Sequence, residues 1–306
     1  MLKKTLFFAA SATLVLATPA SAHRAWLLPS VTVISNVGQS VTVDAGTSTD
    51  PFTPNHNAMN VDGIQVWAPD GTMGKIENAA KGKYRSTFDV AIDKPGTWRI
   101  GNQTSSVSGT FKVNGEEWAV GRRRPGGAPA GMAAGSAPAG APAGAPAAAG
   151  AAAPRPAIDP SRVVATVADI PANATDLNLT ESQNRNEFFV TAGAPTEITP
   201  TGKGLEMIAD TAPTDLVSNE PGKFRFLVDG QPASGLKVTV IPGGQRYRDG
   251  EMVQELTTDA NGAITVNWPV AGFYWVNASL SDDKPSVAKA TKRRMSYTAT
   301  LEVVAP

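Results

Sequence analysis

The chain contains no cysteine. No disulfide can staple its fold, and thiolate zinc centres, papain-like nucleophiles and dithiol redox chemistry are excluded together. It also lacks an excess of charge of either sign, with 27 basic residues against 27 acidic ones. That balance offers no electrostatic reason to expect nucleic acid or an anionic membrane surface as a partner. No G-x-S-x-G elbow occurs, which removes the usual serine hydrolase reading. Histidine is almost missing too: the two in the sequence are His23 and His56.

Long apolar runs are equally scarce. The main one, Leu6 to Ala17, follows Lys3 and Lys4 and precedes Ala20-Ser21-Ala22, the small-x-small pattern read by signal peptidase. It is too short to anchor a chain in a bilayer. Residues 1–22 are therefore expected to be a signal peptide cleaved after Ala22, with the mature protein in the periplasm and not spanning the membrane.

Cleavage there makes His23 the first residue. A terminal histidine can chelate one metal ion through its amine and its own imidazole Nδ1, and one further imidazole completes a three-nitrogen set. His56 is the available candidate. Three nitrogens in a T-shaped arrangement suit Cu(II), which favours tetragonal N and O ligation. Asp50 and Met59 are weaker candidates, the first as a carboxylate and the second as a soft sulfur. Asp44 and Asp62 lie close enough in sequence to be considered, although acidic residues in loops are usually solvated or cap turns.

The remainder reads as β structure. Val31–Ile34 and Ser40–Asp44 are rich in branched residues and are expected to pair as a hairpin. Such a hairpin returns the polar stretch Gly46–Asn60, which carries His56, to the neighbourhood of His23. Further strands are expected at 63–68, 83–90, 97–100, 162–167 and 186–191. Asp93-Lys94-Pro95-Gly96 is a turn before the aromatic strand at Trp98, and Val270-Ala271-Gly272 is a turn before Phe273-Tyr274-Trp275. These two units read as copies of one hairpin, which suggests two β domains of related build.

Between them, residues from about 122 to 157 are almost wholly Ala, Pro and Gly after Arg122-Arg123-Arg124. Such a segment cannot build a core and is expected to be a disordered insertion. The expected organisation is an N-terminal β-sandwich over 23–200 that carries this insertion, followed by a C-terminal sandwich over 201–306. In the latter, Phe224–Gly244 followed by Thr258-Asp259-Ala260-Asn261-Gly262 resembles transthyretin-like and collagen-adhesin modules. The fold class is all-β, with two Ig-like or prealbumin-like sandwiches.

The mature start His23-Arg24-Ala25-Trp26-Leu27-Leu28-Pro29-Ser30, the pair His56-Asn57 before Val61-Asp62-Gly63, the stretch Thr201–Glu206 and the segment Phe224–Gly244 together resemble the periplasmic DUF4198 family. That family is grouped with NikM-like components of cobalt and nickel transport. The resemblance implies an exported β-sandwich that handles a divalent transition metal, and it places the family's terminal histidine on His23. Copper is the choice of the ligand chemistry, and nickel or cobalt the choice of the resemblance. The expected role is a metal-binding accessory protein rather than an enzyme, with an envelope metal transporter or receptor component as partner. Two rivals are a metal-free envelope scaffold or adhesin and a copper monooxygenase.

Overall fold

The computed structural model describes residues 23–121 and 158–306; the expected signal peptide and the Ala/Pro/Gly insertion lie outside the described residues. No α-helix occurs among the described residues, and no helix there is long and apolar enough to cross a membrane. The chain is an all-β sandwich protein built from three sheets around two main cores.

The first core lies under a sheet in which Arg24–Pro29, Gln39–Ser48, Arg85–Ile92 and Ile76–Lys81 are neighbours in that order, all antiparallel. Alternation sets its inner face. Val41, Val43 and Ala45 point inward from one strand and Phe88, Val90 and Ile92 from the next, while Thr42 and Asp89 face out and share a 2.6 Å hydrogen bond. Opposite them lie Trp98 and Ile100 of the strand Gly96–Val113, and Phe188 and Val190 of the strand Thr175–Ala192. The second core is closed by a small sheet of Leu205–Ala209, Pro221–Val228 and Ala263–Asn267 packed against Gly272–Asp282 and Lys292–Val304.

One strand serves both cores. Thr175–Ala192 bonds antiparallel to Gly96–Val113 along one edge and parallel to Lys292–Val304 along the other. From Arg185 to Ala192 every residue is buried. Phe188, Val190 and Ala192 belong to the first core, whereas Phe189 belongs to the second. A strand covered on both faces has no reason to alternate in polarity, and this one does not.

Three expectations need correction. Val31–Ile34 does not pair with Ser40–Asp44. The partner of Gln39–Ser48 is Arg24–Pro29, in the register Arg24↔Ser48 to Pro29↔Val43, and Val33–Ile34 instead bonds parallel to Thr191–Ala192. Burial decides between them: Trp26 and Leu27 are wholly enclosed, whereas Val33 is 48% exposed. The two supposed hairpins are arches. Arg85–Ile92 and Gly96–Val113 belong to different sheets, as do Ala263–Asn267 and Gly272–Asp282. Each glycine turn carries the chain across a core, so the apolar faces of the two strands meet through their side chains rather than through a ladder. The repeat is real, one arch in each sandwich. Finally, the strand expected over 162–167 is reduced to Val163–Val164 between two short 3-10 turns, Pro160–Arg162 and Val167–Asp169. The carboxylates of Asp159 and Asp169 hold these turns by accepting from nearby backbone N–H groups.

Candidate metal site at the histidine pair

The corrected pairing places His23 more firmly than a hairpin from residue 31 would. Because Arg24 lies opposite Ser48, His23 sits beside the start of the loop that follows Ser48. At the far end of that loop, Asn57–Ala58 returns to pair with Gly46–Thr47. His56 is thereby delivered to the same corner. The two imidazoles stack with ring centroids 3.5 Å apart and planes inclined by 12°. Both side chains are exposed.

The segments that carry the histidines are held rigidly from below. Trp26 is fully buried, and its indole N–H donates to Ser48 Oγ at 2.7 Å; Ser48 Oγ in turn donates to the carbonyl of Asp50. The ring can lie flat over the neighbouring strand because the residue across from it is Gly46, where a Cβ would meet Trp26 Cζ2 at 2.9 Å. Phe52, with φ of 64°, turns its ring edge-on to Trp26 and to Phe273. It is admitted by Gly243, where a Cβ would stand 2.6 Å from the Phe52 ring.

The second sandwich completes the grip. Trp275 Nε1 donates to the carbonyl of Ala25 at 2.9 Å, and the Arg24 guanidinium lies 5.7 Å from the Trp275 ring centroid. The same guanidinium donates to Thr49 O at 2.9 Å and reaches Glu251 at 3.5 Å. Trp26, Ile241 and Trp275 form a small cluster of their own, joined by Leu28 and Phe52. Trp26, Phe52, Arg24, Glu251 and Trp275 thus shape the corner although none carries a signal of metal chemistry. Arg24, Trp26 and Phe52 lie near the histidines in sequence, whereas Glu251 and Trp275 lie more than 200 residues away.

The weaker candidates are placed otherwise. Met59 is packed against the first core, and its sulfur accepts from Asn102 Nδ2 at 3.8 Å. The Asp50 carbonyl accepts from Thr53 N, which makes this residue part of the turn that starts the loop. Asp44 is engaged by Arg85 at 3.1 Å, and Asp62 lies exposed in its turn. No group of three His, Cys, Asp or Glu side chains able to hold a metal occurs among the described residues. The side chains therefore offer two nitrogen donors, and a third would be the His23 amine once freed.

Stacking has an electrostatic consequence. Partial burial, and then the charge of His56, lower the pKa of His23 from its ordinary 6.5. Its neutral form is favoured in the fold. As pH falls through 6.5 the unfolded chain takes up a proton that the folded chain still refuses, so this group's contribution to stability is present above that value and declines below it, down to the lowered value of the fold. In an NMR titration the two histidine Cε1–H signals are readily followed, and the His23 signal is expected to titrate below 6.5. A midpoint at or above 6.5 would contradict the stack.

Chemically the arrangement can offer two imidazoles to one ion. Zinc-like and copper-like bonds to imidazole are about 2.0–2.1 Å long, and the nitrogen lone pairs lie in the ring planes. In face-to-face rings those lone pairs lie in two nearly parallel planes and do not converge on one point. Sharing an ion requires one of the two exposed rings to turn about its Cβ–Cγ bond and so to leave the stack.

Residues 20–282 match the family described as a domain of unknown function, DUF4198. No curated protein matches the chain. Among solved structures, it is similar to the D0-D1 domain of intimin at 14% identity, covering 91% of this chain and 97% of that one, with a TM-score of 0.21. It is similar to Escherichia coli alpha-2-macroglobulin activated by porcine elastase at 10% identity, covering 92% and 20%, with a TM-score of 0.22. A marsupial T cell receptor gives 10% identity, coverage of 92% and 74%, and a TM-score of 0.20. Scores this low carry no argument, and the fold rests on the strand pairings described above.

Proposed function

The chain belongs to the DUF4198 family, whose description assigns no activity, and from that premise we propose a function on the histidine pair itself: an exported accessory protein that binds a divalent transition metal. The ion is held by the His23 amine, the His23 imidazole and the His56 imidazole. The protein passes it to or from an envelope transporter or receptor component. The observation that carries this reading is the 3.5 Å approach of two rings drawn from distant points of a chain that has no other histidine.

Three nitrogens with open positions beside them favour Cu(II) first, with Ni(II) and Co(II) next in the same ligand class. Binding and release are sufficient for this role, and no catalytic step is required. Because the amine and both imidazoles must be deprotonated to bind, affinity falls with pH across the range in which an α-amino group and histidines titrate, from about 8 to 6.

The test is calorimetric titration of Cu(II) and Ni(II) into protein that begins at His23, beside a copy with one extra residue in front. Tight one-to-one binding that the extra residue removes would establish the terminal chelate, and the tighter ion would name the cargo. Equal and weak binding by both copies would overturn the reading in favour of a metal-free envelope scaffold.

A further inference from the structure

The same corner of the fold contains an open cleft of about 370 Å³, lined in part by Phe52. That is within the size range of small-molecule sites. Its walls are of two kinds. Phe52, Phe273, Tyr247 and Leu28 supply apolar and aromatic faces, while Gly243, Gly244 and Gly272 leave stretches of backbone without side chains. Arg248 is the one charged residue among the described ones that line it.

The polar end of this cavity is built rather than incidental. Gly244, at φ of 75°, opens a single 3-10 turn over Gln245–Tyr247, closed by Tyr247 N donating to Gly244 O at 3.0 Å and Arg248 N to Gln245 O at 3.1 Å. Arg248 Nη2 donates to Pro242 O at 2.8 Å, which fixes the guanidinium at the wall. Its Nε has no partner, and no acidic side chain pairs with it among the described residues. Tyr247, on the same turn, is 82% exposed. A large ring held out to solvent beside an unpaired cation has no packing role.

We infer that this cavity is a binding site for a small aromatic carboxylate. The ring lies between Phe52, Phe273 and Tyr247, where offset or edge-on contacts are favourable. The carboxylate takes Nη1 of Arg248, the guanidinium nitrogen left over by the buried Nε and by the bond of Nη2 to Pro242 O, and such a charge-assisted pairing is stronger than a neutral hydrogen bond. The inference stands independently of the metal reading, since no residue lining the cavity is one of the two histidines.

The probe is phenylacetate, titrated into the metal-free full chain while the backbone amides of Gly243, Gly244 and Gly272 are followed by NMR. A ligand of this size is expected to saturate with Kd on the order of 1 mM. Phenylacetamide, which keeps the ring and loses the charge, is expected to bind about tenfold more weakly, and so is phenylacetate with Arg248→Gln. Tyr247→Ala, at a position too exposed to threaten the fold, is expected to weaken binding several-fold, so the inference does not depend on the Arg248 variant folding. Failure to saturate by about 50 mM, or equal affinities for acid and amide, would overturn it.

Discussion

Replacing Glu206 by alanine is expected to lower the free energy of unfolding by about 3–5 kcal/mol, because it strands a buried guanidinium. Glu206 and Arg185 lie 3.1 Å apart with side chains only 2% and 6% exposed. The carboxylate also accepts from Thr201 N, Thr201 Oγ1 and Gly202 N, at 2.8, 3.0 and 2.7 Å. Arg185 is closed in further by Thr201 Oγ1 and the carbonyl of Lys203. The turn from 201 to 204 is therefore a polar cap folded over Arg185, midway along the shared strand. Beyond it on the same face, the Tyr297 hydroxyl donates to Glu187, and burial pushes that carboxyl's pKa up.

The energetics separate breaking the pair from replacing it. Removing one partner leaves an uncompensated charge in the seam. Removing both, with apolar residues of similar volume, avoids that penalty. The double variant Arg185→Met with Glu206→Leu is accordingly expected to recover only part of the stability lost by Glu206→Ala, because it strands no guanidinium but leaves Thr201 N and Gly202 N without their acceptor and removes the Arg185 charge that faces buried Glu187. Urea unfolding of the three proteins measures this. A loss below about 1 kcal/mol for Glu206→Ala would mean that water reaches the guanidinium and that the seam is looser than its burial indicates.

His56→Ala is expected to reduce Cu(II) affinity on the order of a hundredfold or more, since it deletes a ligand, and even the residues that merely orient ligands commonly cost 10–100-fold. The fold should not notice. His56 is exposed, and its loop is held by Phe52 at one end and by the pairing of Asn57–Ala58 at the other. Thermal unfolding without metal is thus expected to be nearly unchanged, while the shift in melting temperature produced by added Cu(II) is expected to disappear. The variant also removes the charge that helps to lower the pKa of His23, so the His23 titration should move back toward 6.5. If affinity were unaffected, His56 would be a neighbour of the terminal chelate and not a member of it. The one-residue extension tests the amine, and His56→Ala tests the second ring.

By itself the sequence determined the fold class, the list of chemistries excluded by the missing cysteines, and the two histidines as the only imidazoles available. These follow from composition and from period-two alternation, which are local properties. It also singled out 201–206 as distinctive without revealing why; the reason, a cap over Arg185, lies about 20 residues upstream and becomes visible only across a strand.

What the tertiary structure alone decided is which strand pairs with which. Branched residues at 31–34 read as a better strand than Arg24–Pro29, because propensity weighs each residue by its type. The fold weighs the enclosure of Leu27 within the first core and of Trp26, which depends on Ile241 and Trp275 arriving from the other sandwich. Likewise, a glycine turn between two apolar strands looks the same in sequence whether the strands lie side by side or face each other across a core. Only the neighbours that complete each sheet distinguish an arch from a hairpin. The meeting of His23 and His56 does not depend on which strand is the partner, for a topological reason: any antiparallel return of Gln39–Ser48 along the segment that follows His23 brings residue 48 back toward His23. The clamp of Arg24, Phe52 and Trp275 around them had no such shortcut, because it is made of side chains whose only relation is to be packed together.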